Sequence, residues 1–175
     1  YLIEVRGFDF KELGILFTIM LAPFVLLQYP LGKLADKKLG EKELLMGGFF
    51  TMSLATLCFA LYKGNDFVVF AAILFATRIG ASMVEVMSET YFFKTVSDEE
   101  PELVSTFRGM TPLAHLIGPL IAGIALPLFG FTPLFIGLGV VVLLGIRFAF
   151  LIHDLTVSAN VETLTEQARE FLSML

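Results

Sequence analysis

Arg78, Ser82, Glu85 and Glu89 stand in an otherwise apolar run, residues 67–93, where a charged group is placed for chemistry or for ion pairing. At about 100° per residue the three charged residues fall within roughly 40° of one another, with Ser82 on the same stripe. A helix over this run therefore carries a polar line from its middle to one end. A charge near the centre of a bilayer costs at least ~2.5 kcal/mol, so this face must look into a bundle interior or a wet cavity. Glu85 and Glu89 are four residues apart, so two ionised carboxylates repel and one can hold a proton at neutral pH, as a proton-coupled carrier requires. Alternatively, Glu89 pairs with a loop lysine while Glu85 neutralises Arg78 or another buried base. Arg78 is a permanently charged fork suited to an anionic or polar substrate, and a buried ion pair between helices is the competing reading. His115, in another apolar run, either carries protons or is a hydrogen-bonded packing residue. Arg108 and Arg147 lie near the ends of their runs and can snorkel to the interface.

Reaction chemistry is not indicated. The sequence shows no metal-ligand cluster, no nucleophile-base-acid set and no phosphate-cradling glycine loop, so it points to no enzyme and no cofactor. The single cysteine, Cys58, sits in an apolar run and reads as a small hydrophobe. Many of the acids behind the net charge of -5 cluster at 98–102 and in the tail, which gives no pointer to a nucleic-acid partner.

The elements that must position these residues are membrane helices. Hydrophobic residues make up 57% of the 175 and charged ones only 17%, with a mean hydropathy of +0.84, more apolar surface than a soluble fold of this size can hide. Five runs, at about 13–31, 44–62, 67–93, 109–129 and 132–152, are each near the roughly 20 residues needed to cross a ~30 Å hydrocarbon core. The fold class is thus all-α and polytopic: a segment 1–12 before the first span, a five-helix membrane domain over 13–153, and a tail 154–175. In the tail, Val161, Leu164, Ala168, Phe171, Leu172 and Leu175 recur at helical spacing and predict an amphipathic cytosolic helix. No initiator methionine precedes Tyr1 and no secretory leader is visible, so the chain reads as a fragment whose upstream part is missing.

Lys33, Lys37, Lys38 and Lys42 crowd one short loop and place it in the cytoplasm. Alternation puts 94–102 and the tail on the same side and the Gly130 turn opposite. Pro23 and Pro30 in the first span, and Pro112 and Pro119 in the fourth, remove backbone donors and predict kinks, or reflect the tolerance of membrane helices for proline. Pro127, Gly130 and Pro133 predict a helix break and a tight hairpin. The second span, 44–62, has no charge at all and is expected on the lipid-facing outside.

The stretch Gly32-Lys-Leu34-Ala35-Asp36-Lys37-Lys-Leu-Gly40-Glu41-Lys42 resembles the signature loop of the major facilitator superfamily, G-x-L-A-D-[RK]-x-G-R-[RK]. It departs by one extra residue before Gly40 and by Glu41 where that family usually has arginine. Thr77-Arg78-Ile-Gly80-Ala81 resembles the family's arginine-glycine motif of a cavity-lining span. Gly109, Gly118-Pro119 and Ala122-Gly123 resemble the glycine-proline motif of the next span, and the resemblance covers nearly the whole chain. It implies a secondary transporter in the inner membrane: two six-helix halves rock about a central site, with this chain supplying five helices of one half and the rest of that protein the other. The spans are then the second to sixth or the eighth to twelfth. The chain stops soon after its last span and residues 78–94 resemble bacterial members near their C-terminus, which favours the second half; the arginine and glycine-proline motifs are usually described for the first.

The resemblance further implies roles. Gly32 allows close helix approach, and Asp36 accepts from a facing helix end or arginine. Lys37 pairs with an acid such as Glu89, and Gly40, Lys42 and Arg108 complete a cytoplasmic latch. Arg78, Ser82, Glu85 and His115 are the substrate and coupling set, with a small solute and H+ as partners within the lipid bilayer. Pro23, Pro30, Gly118, Pro119 and Gly123 are packing or kink positions. A non-transporting membrane protein, whose charged stripe is a structural network or a docking surface for a partner, is the alternative.

Overall fold

The structure, a computed structural model, describes residues 1–35, 40–96 and 101–152. Asp36, Lys37 and the expected tail helix lie outside the described residues. Among the described residues every regular element is a helix: α1 (Phe10–Leu34), α2 (Gly40–Leu61), α3 (Phe67–Thr95), α4 (Pro101–Phe129) and α5 (Phe131–Leu151). All five are long and apolar enough to cross a membrane. The shortest, 21 residues, reaches ~31 Å, about the thickness of the hydrocarbon core.

Local chemistry sets the ends. Asp9 caps α1 by accepting from the Glu12 amide at 2.7 Å, while Glu12 accepts from the Asp9 amide at 3.0 Å. The two form a reciprocal capping box that satisfies two otherwise orphan donors. Gly40 starts α2 at φ 63 and Gly130 joins α4 to α5 at φ 76, both in the left-handed region that a side chain disfavours. The expected break and tight turn fall at the single residue Gly130: α4 runs through Pro127 and ends at Phe129, and α5 begins at Phe131. Pro133 falls in the first turn of α5, where no amide bond is lost. The helices also continue across Pro23, Pro30, Pro112 and Pro119, and α4 begins at Pro101, so Arg108 lies inside it and not at its start.

Helix α2 packs against both α3 and α5, while α1 lies along α3. The expected peripheral place for α2 is therefore corrected. It holds the largest buried set of the five helices, although Phe50, Leu54 and Leu61 still face outward. Small residues make this possible. A Cβ on Gly80 would come within 2.5 Å of the Met52 amide nitrogen and 2.7 Å of the Gly48 carbonyl oxygen, so α2 and α3 touch backbone to backbone. On the other side Ser53 Oγ donates to the Gly139 carbonyl at 2.8 Å, fully buried between α2 and α5. One apolar cluster, with Leu31, Leu44, Met87 and Ala149, fills the signature-loop end. A second, with Phe8, Leu16, Phe59 and Phe70, fills the opposite end.

Helix α4 differs from the rest. It buries no residue, meets α5 only lightly, and reaches α3 through Phe107, whose ring stacks on Phe92 at 4.1 Å.

Candidate functional site

Gly80 and Met87 of α3 are buried, and Gly80 meets α2. Both lie about 180° around the helix from Arg78. The polar stripe therefore faces away from α2: Arg78 is half-buried, and Glu85 and Glu89 are exposed. None of the three has an ion-pair partner among the described residues, so the expected pairings of Glu85 with Arg78 and of Glu89 with a loop lysine are not formed there. Instead the Arg78 guanidinium carbon sits 5.8 Å from the centre of the Phe24 ring on α1, a cation–π contact that leaves its donors available. Ser82 departs from the rest of the stripe. It is fully buried, and its hydroxyl donates to the Ile79 carbonyl at 2.9 Å.

Phe92 falls within about 40° of Arg78 on the same helix, and it is the ring on which Phe107 stacks. The start of α4 thus crosses the signature-loop end of the stripe. Farther along α4, His115 Nδ1 lies 2.8 Å from the Thr111 carbonyl, and with Pro119 the histidine borders a shallow pocket of about 260 Å³. Arg108, His115, Gly118 and Pro119 are all exposed on this helix. A Cβ on Gly118, Gly123 or Gly32 would meet nothing within 4 Å, so none of the three seats a helix among the described residues. Of the two α1 prolines, Pro23 is buried and Pro30 exposed.

At the other end a chamber of about 730 Å³ opens on the same side of α3 as the stripe. Leu13 and Phe17 of α1, Phe59 of α2, Leu74 of α3 and Phe135 of α5 wall it, and Tyr1 to Glu4 border its mouth. A smaller cavity of about 140 Å³ shares Phe59, Leu74 and Phe135 with it and extends inward to Thr77, the neighbour of Arg78.

Two further groups escaped the sequence reading. Arg6 donates to the Lys63 carbonyl at 2.7 Å, to the Tyr62 carbonyl at 2.5 Å and to the Tyr1 hydroxyl, so it clasps the two carbonyls that follow α2 and ties the start of the chain to that end. Glu41 is only 1% exposed and receives the Lys94 ammonium at 2.7 Å, which joins the start of α2 to the end of α3. Its neighbour Lys42 places its ammonium 4.4 Å from the centre of the Phe150 ring of α5. Consecutive residues of the signature loop thus bind α2 to α3 and to α5. An arginine-to-glutamate departure in the loop, with a lysine at the end of the following span, was the available signal for the first of these ties.

No curated protein and no solved structure matches the chain. The family model described as Major Facilitator Superfamily matches residues 1–173, nearly all of the chain, and with five membrane-length helices arranged as above the protein belongs to that family of membrane transporters.

Proposed function

We propose that this chain forms a moving part of a secondary transporter that carries a small solute by alternating access, with substrate contact centred on Arg78 and proton coupling at Glu85. One observation carries the reading. Arg78, Glu85 and Glu89 share the α3 face turned away from α2, and none is ion-paired among the described residues. Charges kept unpaired on a membrane helix are costly and are retained where a solute or ion must be met. A structural charge network, the second reading, needs those same groups joined to one another. The ties from Glu41 and Lys42 support a bundle end that moves as one piece, because they hold α2, α3 and α5 together. In this proposal that end faces the cytoplasm of an inner membrane, and Asp36 docks it reversibly against the other half of the transporter.

The test is uptake into reconstituted vesicles of a solute found by thermal-shift screening of the purified protein. Asp36→Asn is expected to slow uptake about tenfold, the effect of removing one charge-assisted hydrogen bond from a switching contact, with the yield of folded protein unchanged. Uptake at the parent rate would remove the latch from the proposal. Glu85→Gln is expected to leave uptake insensitive to an imposed pH gradient, and a retained pH response would assign coupling to another group.

A further inference from the structure

Phe10, Phe17 and Phe24 recur every seven residues along α1, a step that returns to within about 20° of the same direction each time. The first two rings line the outer chamber, and the third lies beneath the Arg78 guanidinium. Arg78 therefore stands at the inner end of the same aromatic wall. On α3 the relation repeats, since Leu74 walls the chamber and Arg78 lies one turn deeper and within about 40° of it. Thr77, at the inner limit of the adjoining cavity, precedes Arg78 in the chain.

From this juxtaposition we infer that the transporter proposed above takes an amphiphilic anion: a carboxylate, sulfonate or phosphate headgroup on Arg78, with an aromatic or branched apolar body between Phe17, Phe59, Leu74 and Phe135. The inference rests on the reading of Arg78 as the substrate contact and adds the chemical class. A volume of about 730 Å³ lies in the range that holds a small organic ligand, and the walls are apolar and aromatic, with Glu4 at the mouth and Arg78 past the inner end. The sign follows from position. Glu85 lies seven residues past Arg78, ~10 Å deeper along the helix, so a lipophilic cation held in the chamber would meet the guanidinium before either glutamate. Glu4 stands at the mouth, where it is exposed and solvated.

Equilibrium dialysis of the protein in phosphatidylcholine vesicles against empty vesicles tests this with three probes of one shape: naphthalene-2-sulfonate, the neutral naphthalene-2-methanol and the cationic 2-naphthylmethylammonium. The sulfonate is expected to bind saturably and more tightly than the other two. Arg78→Gln should weaken the sulfonate by about tenfold or more, as for loss of a hydrogen-bonded charge, and leave the alcohol within a factor of about two. Leu74→Trp, which narrows the chamber at the end nearest Arg78, should weaken both. Phe17→Ala, at a ring already 44% exposed, should weaken both by a few-fold without endangering the fold. Preference for the cation, or sulfonate binding indifferent to Arg78→Gln, overturns the inference, as does alcohol binding indifferent to Phe17→Ala. Arg78-dependent anion binding in a protein that moves no solute would retain the site and remove transport. Uptake of a solute indifferent to Arg78 would do the reverse.

Discussion

Gly80→Ala is expected to destabilise the protein by about 2 kcal/mol, and Gly80→Leu by 3 kcal/mol or so, the upper part of the range for overpacked cores. The reason is the nature of the obstacle. A Cβ at this position meets the Met52 amide nitrogen at 2.5 Å and the Gly48 carbonyl oxygen at 2.7 Å, both backbone atoms of α2 that cannot rotate aside. Relief requires the two helices to separate along their whole contact, which also disturbs the seat of Ser53 on Gly139. Gly48 offers the reciprocal test, since its own Cβ would lie 2.9 Å from the Gly80 carbonyl oxygen. Gly123→Ala on α4 is the control. It meets nothing within 4 Å and should change stability by less than about 0.5 kcal/mol. Thermal unfolding midpoints of the purified variants decide the matter, and equal midpoints for Gly80→Ala and Gly123→Ala would show that α2 and α3 do not approach this closely.

The contrast between these glycines marks what could be read from sequence. Helix number and approximate position were legible, because roughly 20 apolar residues between charged loops have one economical conformation in a bilayer. That Arg78, Glu85 and Glu89 share one face of α3 was legible from helical spacing, and the buried residues Gly80 and Met87 lie opposite; that Ser82, at the same spacing, is buried was not. Which apolar face seeks protein and which seeks lipid was not legible. Lipid tails are as apolar as leucine, so hydropathy does not separate an interior helix from a peripheral one. That is why α2, uncharged from Leu44 to Leu61, reads as an outside helix and is found between α3 and α5. Gly118 and Gly123 carry a recognisable motif yet face no described neighbour, whereas Gly48, Gly139 and Gly145 carry none and make close contacts. Partners distant in sequence were hidden as well. Arg6 with the carbonyls of Tyr62 and Lys63, and Arg78 over Phe24, depend on how the helices assemble.

Glu41 shows the same limit and supports the second large effect. Where the family's loop usually has arginine this chain has a buried carboxylate, and restoring the arginine as Glu41→Arg is expected to be harmful. The new guanidinium would face the Lys94 ammonium, which now lies 2.7 Å from the buried Glu41 carboxylate. Losing one partner of a fully buried pair costs about 3–5 kcal/mol. Lys94 is 35% exposed and Glu41 only 1%, so solvent screens part of the charge and about 2 kcal/mol is expected for Lys94→Gln. Glu41→Arg should exceed it, because repulsion is added to the loss of attraction. The companion change decides whether pairing is the cause. Glu41→Arg combined with Lys94→Glu reinstates opposite charges between the ends of α2 and α3, and it should recover more than half of the stability lost in Glu41→Arg alone. A double variant no more stable than the sum of its single changes would mean that the two residues contribute independently, and that the reversed charge in this loop is not what joins the two helices.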